Sequence, residues 1–241
     1  MKHTLFILVL LAISGCSTGL SPRETRTQNY PAFILSLYEN PRTAAPAPPP
    51  TAPMRIAVAQ IGEIAPPQAM LGQLRQHPEL FSRVEGIPGV FEDVQVNGNS
   101  AALITSERQQ VRERMTRLQR LAQDVGMDYL FIYGGSVDHY VRENPLQLLD
   151  LTIVGAFVVP SREVRAAGKA AGALIDNRTG AVVLMTSADT EKTALASCTT
   201  EDGKQKKVLE DTRESLNLRL ADQLAARCKE VALTKATPLG N

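Results

Sequence analysis

The sequence predicts an α/β (α+β) fold, with a mixed β-sheet and helices packed on it in a single domain at residues 54–232. Segments with strand character alternate along the chain with segments of helical periodicity, which is typical of a sheet covered by helices. A proline-rich stretch at 43–53 separates this part of the chain from the amino-terminal region. About 180 residues follow that stretch, which is enough for one domain with its own core.

The first elements of the domain are predicted as strand, helix and strand. Residues 54–62 (MRIAVAQIG) are apolar on both faces, which favours a buried strand. Residues 66–82 begin with two prolines suited to a helix start, and Pro78 limits or kinks that helix. Residues 89–99 carry spaced valines and end in an Asn-Gly turn signal, so we expect the second strand there.

The middle of the domain is predicted as one helix followed by two strands. Residues 106–125 show an apolar face of helical spacing, with Ser106 as the N-cap and Gly126 as the C-cap. Residues 128–137 (DYLFIYGGSV) predict a strand. Residues 148–160 (LLDLTIVGAFVVP) are almost wholly apolar and predict a strand at the sheet centre.

The last part of the domain is predicted as a β-hairpin and a long helix. In the hairpin, at 172–187, a turn containing Asp176 and Gly180 joins two apolar strands. The preceding residues 164–172 are ambiguous, because alanine favours helix and two glycines disfavour it, and we interpret them as strand. Residues 203–230 predict the closing helix.

The amino terminus predicts a lipoprotein signal peptide at residues 1–15. A short positive start precedes an apolar run at 5–13, which is too short to span a membrane, and two small residues precede Cys16. The tetrapeptide ISGC, residues 13–16, resembles a bacterial lipobox. The alternative is an ordinary signal peptide with an incidental cysteine.

The lipobox resemblance implies that Cys16 carries lipid, with a diacylglyceryl group on its thiol and a fatty acid such as palmitate on its new amino group. Each buried CH₂ contributes about 0.8 kcal/mol, so two or three acyl chains anchor a protein stably. Ser17 follows Cys16 in place of aspartate. By resemblance to enterobacterial sorting signals, that favours the outer membrane, with the protein facing the periplasm.

Residues 16–53 are predicted to be a lipidated tether. Helical spacing of apolar residues at 30–39 predicts a short helix, and five prolines at 43–53 favour an extended, semi-rigid spacer. Residues 233–241 are predicted to be a flexible tail.

Charge and cysteine content restrict the classes of function. Without the signal peptide the chain has 25 basic and 25 acidic residues, and this balance does not indicate a nucleic-acid partner. The two remaining cysteines, Cys198 and Cys228, favour a disulfide in an oxidising compartment, and two buried thiols are the alternative. Few histidines are present, so we expect no metal and no cofactor.

Several stretches together resemble the rhombotarget lipoproteins, a family of bacterial envelope proteins. They are FILSLYENP before the spacer, LTIVGAFVVP, the hairpin GALIDNRTGAVVLM and the closing charged helix. After Met185 the chain has TSADTEK, where that family usually has a Phe-Arg-Ala-Pro-like run. More distantly, the pattern resembles the α/β domain of curli-secretion-type lipoproteins. Both resemblances imply an envelope lipoprotein that binds or assembles, with no defined reaction.

The strongest catalytic candidates are Ser136, Asp138 and His139 in the segment GGSVDHY. Adjacent residues of a strand point to opposite faces, so Asp138 and His139 are not expected to act jointly. Asp176 is expected to bond to backbone amides of its own turn. The arginines of 108–120 are expected to form a solvated helix face, and a patch for phosphate or lipid headgroups is the alternative.

The function predicted is therefore a non-enzymatic module, anchored in the membrane through Cys16, that binds a protein partner or assembles with itself. A subunit of an oligomeric secretion complex is one alternative. A hydrolase acting on the envelope is the other, and only the segment GGSVDHY supports it.

Overall fold

A computed structural model describes residues 50–89, 101–143, 162–197 and 200–236, without the side chains of 101–112, 143 and 233–236. The predicted signal peptide, nearly all of the predicted tether, the strand predicted at 148–160 and Cys198 lie outside the described residues. So do all but the first residue of the strand predicted at 89–99.

The described residues form five strands and three helices. In chain order these are β1 (Met54–Gln60), α1 (Gln68–Arg75), β2 (Phe81–Gly86), α2 (Ala101–Asp124), β3 (Tyr129–Glu143), β4 (Arg162–Asp176), β5 (Val182–Ala196) and α3 (Glu201–Ala236). None of these helices combines the length and apolar character needed to cross a membrane.

The strands form one mixed sheet, as the sequence predicted, and their order in it is β2-β1-β3-β4-β5. β1 runs parallel to both neighbours, with Ile56 opposite Val84 of β2 and Tyr129 of β3. β4 runs antiparallel to β3, because Gly135 lies against Ala170 whereas Gly172, further along β4, lies against Phe131.

Two crossover connections bury the first strands on both faces. The chain passes from β1 through α1 to β2, and then through α2 back across β1 to β3. Right-handed crossovers in opposite directions place α1 and α2 on opposite faces of the sheet. On the α2 face, alternate residues of β1 and β3 form a core with α2, which includes Ala57, Ala59, Leu130, Ile132, Met115, Leu118 and Ala122.

The opposite face carries the larger side chains of the same strands. Ile56, Val58, Phe131 and Tyr133 are all buried there, and the rings of the last two stack 5.8 Å apart. A Cβ at Gly172 would lie 2.4 Å from Phe131 Cζ, so glycine makes room for this stack. The glycines that made 164–172 ambiguous in sequence therefore lie in a strand, as we interpreted them.

The described residues divide into two compact units. The larger unit contains β1, α1, β2, α2 and β3 up to Ser136, together with Gly168–Thr190 and the part of α3 from Arg213. Within it, Gln73 of α1 donates a hydrogen bond of 2.6 Å to Asp222 of α3. The smaller unit contains the described residues within Val137–Ala167 and Glu191–Thr212.

Several predicted boundaries of helices and strands were wrong. Residues 81–86 form β2, a strand that the sequence did not predict, and Phe81 and Ser82 belong to it instead of to the first helix. Only Phe81 and Val84 of β2 are buried, so this short edge strand lacks an apolar alternation. α2 begins at Ala101, which places Ser106 inside the helix instead of at its N-cap. β3 and β5 each extend several residues beyond their predicted ends.

Candidate functional site: a tether junction and an exposed sheet face

The described chain begins where the predicted tether meets the domain, in the larger unit. Pro50 is buried, and Thr51 hydrogen-bonds to Tyr129 at the start of β3. Burial raises the pKa of Tyr129 above its ordinary value, and the nearby carboxylate of Asp176 contributes. We call Pro50, Thr51, Arg55, Asp128 and Tyr129 the tether junction.

A two-point ion pair holds the junction together. Arg55 Nε donates to Asp128 Oδ2 at 2.9 Å, and Arg55 Nη2 donates to Asp128 Oδ1 at 2.7 Å. The Asp128 amide also donates to the Arg55 carbonyl at 3.0 Å. The hydrogen bond from Arg55 holds the pKa of Asp128 below its usual range, so the pair stays ionised at neutral pH. This geometry links β1 to β3 immediately beside the incoming chain.

The β4–β5 turn has the internal hydrogen bonds expected of Asp176 and Gly180. Asp176 Oδ1 accepts from the amides of Arg178 at 2.7 Å and Thr179 at 3.1 Å. The Gly180 amide donates to the Asp176 carbonyl at 2.8 Å, and Gly180 has a φ of +72°, which favours glycine. Asp176 therefore acts on its own turn.

Asn177, the residue after Asp176, connects this turn to the tether junction. The sequence did not indicate this connection. The Asn177 amide donates to the Asp128 carbonyl at 3.0 Å, and Asn177 Nδ2 donates to the Met127 carbonyl at 2.9 Å. Gln123 of α2 hydrogen-bonds to the Asn177 carbonyl. The only signal in the sequence was the asparagine beside Asp176, which is also the ordinary composition of a turn.

In the smaller unit, the side chain of Arg165 is held by contacts with three neighbouring side chains. Arg165 Nε donates to Glu163 Oε1 at 2.6 Å, and Arg165 Nη1 lies 3.8 Å from Glu191 Oε1. The guanidinium lies 6.0 Å from the centre of the Tyr140 ring. The hydrogen bond from Glu163 raises the pKa of Arg165 above its ordinary value.

Apolar surface surrounds this arginine. Tyr140 is 42% exposed and Leu195 is 57% exposed. Leu195 shares the face of Glu191 because every second residue of a strand points to the same side. We call Tyr140, Glu163, Arg165, Glu191 and Leu195 the Arg165 face. Tyrosine and arginine are the residues most enriched among those that dominate binding at protein interfaces.

The structure does not bring the catalytic candidates together. Asp138 and His139 are adjacent in β3, so their side chains point to opposite faces. Asp138 is exposed, whereas the ring of His139 hydrogen-bonds to Gln205 of α3. Ser136 lies on the same strand. Among the described residues, no group of histidine, cysteine, aspartate and glutamate side chains has the arrangement of a metal site.

The structure shows Cys228 as a free thiol. It is only 1% exposed, on the core side of α3 as its helical spacing predicted, and burial raises the pKa of its thiol to about 12. The predicted bridge to Cys198 is therefore not seen. Cys198 itself lies outside the described part of the chain, as does the lipidation residue Cys16.

No protein-family model and no curated protein sequence match this chain. Solved structures that are similar to it include the PelC dodecamer from Paraburkholderia phytofirmans, at 14% identity and a TM-score of 0.35, over 75% of this chain and 93% of that one. Lipoprotein GNA1162 from Neisseria meningitidis is 15% identical with a TM-score of 0.30, over 66% and 96% of the two chains.

A third structure is a neuraminyllactose-binding hemagglutinin homolog from Helicobacter pylori. It is 10% identical with a TM-score of 0.37, over 80% of this chain and 97% of that one. At such TM-scores and identities, the function of this chain has to be argued from its own residues.

We predict that Asp128→Asn removes the ion pair with Arg55 and lowers the unfolding free energy by about 1 kcal/mol at pH 7, since both side chains are half exposed. The carboxylate has a lowered pKa in the folded state, so its contribution exists above the unfolded pKa of about 3.9 and is lost at lower pH. Urea unfolding of both proteins should show a difference at pH 7 that decreases as the pH falls below about 4. A constant difference at all pH values would contradict this.

We predict that the Cys228 thiol does not react with maleimide in the native protein, because it is buried and its pKa is raised to about 12. Labelling at pH 8 in denaturant without reductant then distinguishes the two states of the cysteine pair. Cys228 labels if the thiol is free, as the structure has it, and remains unlabelled if it is bridged to Cys198. Mass spectrometry of the tryptic peptides measures both outcomes, and rapid labelling of the native protein would contradict the burial.

Proposed function

We propose that this protein is a bacterial envelope lipoprotein, anchored through acyl chains on Cys16, whose domain binds a protein partner and catalyses no reaction. The observation that carries this proposal is the apolar run at 5–13 that ends in the lipobox-like residues 13–16. The residue after Cys16 is serine, which supports the outer membrane and a domain that faces the periplasm. Membership of the rhombotarget lipoprotein family belongs to the same proposal.

The tether junction is consistent with anchoring from the amino terminus. A chain under tension from a membrane anchor transmits force to the first ordered residues of its domain. In this protein those residues are a buried proline, a hydrogen bond to Tyr129 and a strand flanked on both sides. The Arg55–Asp128 pair adds a two-point contact there.

The Arg165 face supports a role in binding. Its arginine is already held by Glu163 and the Tyr140 ring, so little side-chain entropy remains to be lost when a partner covers it. Exposed Tyr140 and Leu195 provide apolar surface on either side of this charge. A locked arginine between apolar groups has the composition of an interface centre, and self-assembly is one way to use it.

We predict that Cys16→Ala abolishes membrane anchoring, since the variant has no thiol to lipidate. In bacteria that express the two proteins, the wild type should incorporate labelled palmitate and sediment with membranes, and globomycin should cause its precursor to accumulate. The variant should incorporate no palmitate. A variant that still partitions with membranes after a salt wash would exclude lipid on Cys16 as the anchor.

We predict that the double variant Tyr140→Ala, Leu195→Ser gives at least tenfold less crosslinked product with a protein partner in intact cells. Truncation of a side chain that dominates an interface typically costs more than about 1–2 kcal/mol of binding free energy. The measurement is crosslinking of the lipidated protein followed by mass spectrometry. Crosslinked peptides between copies of this chain would identify self-assembly.

The matched control for this experiment is Ile64→Ser, because Ile64 is an apolar residue, 78% exposed, in the larger unit. The Ile64→Ser substitution removes an exposed apolar side chain outside the Arg165 face and should leave the crosslinking unchanged. Equal effects of the control and the double variant would exclude the Arg165 face as the binding site.

A further inference from the structure

One flank of α2 combines arginines with exposed apolar side chains. Arg114, Arg117, Leu121 and Val125 are spaced by three or four residues, so they lie along one side of the helix. Arg120 is beside them. We call these five residues the arginine stripe. Leu121 and Val125 are 36% and 37% exposed, whereas Met115, Leu118 and Ala122 on the sheet side are buried.

Two of the three arginines in the stripe are available to a ligand. Arg117 and Arg120 are exposed, and neither makes a hydrogen bond or ion pair with the described residues. Two acidic residues of α2, Glu113 and Asp124, lie near the arginines, and Glu113 already has a partner. Residues 113–125 therefore carry three arginines and two carboxylates, and Arg117 and Arg120 have no partner among the described residues.

The neighbouring strand adds a further cation at the same end of the stripe. Arg83 of β2 donates to the Val125 carbonyl at 3.4 Å, and it also contacts Glu85 Oε1 at 3.3 Å. The side chain therefore lies over the carboxyl end of α2, where the helix dipole is negative and favours a cation. The methylene groups of Arg83 extend the apolar surface of Leu121 and Val125.

The stripe lies beside the point where the tether meets the domain. The last turn of α2 leads through Gly126 to Asp128, whose amide donates to the Arg55 carbonyl at 3.0 Å. Tyr129 follows and hydrogen-bonds to Thr51. Residues 16–49 connect this junction to Cys16, and a chain of that length spans at most about 120 Å. The stripe is thus within reach of the surface to which the proposed function attaches the protein.

We propose that the arginine stripe docks the larger unit on an anionic phospholipid surface. Guanidinium groups bind lipid phosphates, and each cation near an anionic leaflet strengthens binding about fivefold. Leu121 and Val125 then face the interfacial region, as the apolar residues of membrane-surface helices do. The inference rests on the proposed function because the lipid on Cys16 keeps the stripe near the membrane. The surface on its own is too small for stable anchoring.

The test uses the lipidated, processed protein reconstituted in vesicles of phosphatidylcholine, with or without phosphatidylglycerol, that contain a photoreactive phospholipid. Mass spectrometry then locates the lipid adducts. We expect adducts on the peptides that contain residues 113–125 in the anionic vesicles, and at least tenfold fewer in the neutral ones. Raising the salt until the Debye length falls from about 10 Å to about 3 Å should reduce them similarly.

The deciding variant is Arg117→Glu, Arg120→Glu, which should lower these adducts at least tenfold in anionic vesicles. Its matched control, Lys206→Glu, Lys229→Glu, makes the same change in charge on exposed positions of α3 and should leave them unchanged. Circular dichroism confirms that both variants are folded.

The outcomes separate this inference from the proposed function. If the protein purified from bacterial membranes for this test carries no lipid on Cys16, the proposed function is overturned. Incorporated protein whose adducts avoid residues 113–125, or are equal in neutral and anionic vesicles, overturns the docking proposal alone. Crosslinks between copies through the same residues would assign the stripe to self-association and would also overturn it.

Discussion

The fold depends on burying β1 and β3 on both faces. Two right-handed crossovers in opposite directions achieve this, because they place α1 and α2 on opposite sides of the same strands. Side chains divide accordingly, with Ala57 and Ala59 beneath α2 and the larger Ile56 and Val58 on the other face. Full burial of an aliphatic side chain contributes about 1.5–3 kcal/mol, so this part of the sheet is the most stabilised.

The tether junction matters because it lies at the start of β1 and β3, the strands that are buried on both faces. β1 begins only a few residues after the buried Pro50, so the incoming chain ends on the most buried strand of the sheet. Arg55, Asp128 and Asn177 connect the amino ends of β1 and β3 with the β4–β5 turn. These contacts would share a pull on the proposed tether among three strands, which suits the proposed anchoring through the amino terminus.

The two candidate contact surfaces differ in chemistry. The Arg165 face has an arginine neutralised by two glutamates and flanked by tyrosine and leucine, a composition that favours contact with protein. In the arginine stripe, Arg117 and Arg120 have no carboxylate partner among the described residues and lie beside exposed Leu121 and Val125, which favours phosphate at a lipid surface. Each surface belongs to one compact unit of the chain, and each is defined by contacts within that unit.

The sequence by itself determined five features: the lipobox-like amino terminus, the fold class, the buried first strand, the hairpin turn at Asp176 and the core position of Cys228. Each of them depends on local periodicity or on short-range backbone chemistry. The sequence missed β2, whose six residues carry little apolar pattern, and it could not distinguish the arginines that remain unpaired from those with partners. Only the tertiary structure decided that Asn177 joins the tether junction and that Tyr140, Arg165 and Leu195 share a face. Those relations depend on strand register and long-range contacts, which no local pattern encodes.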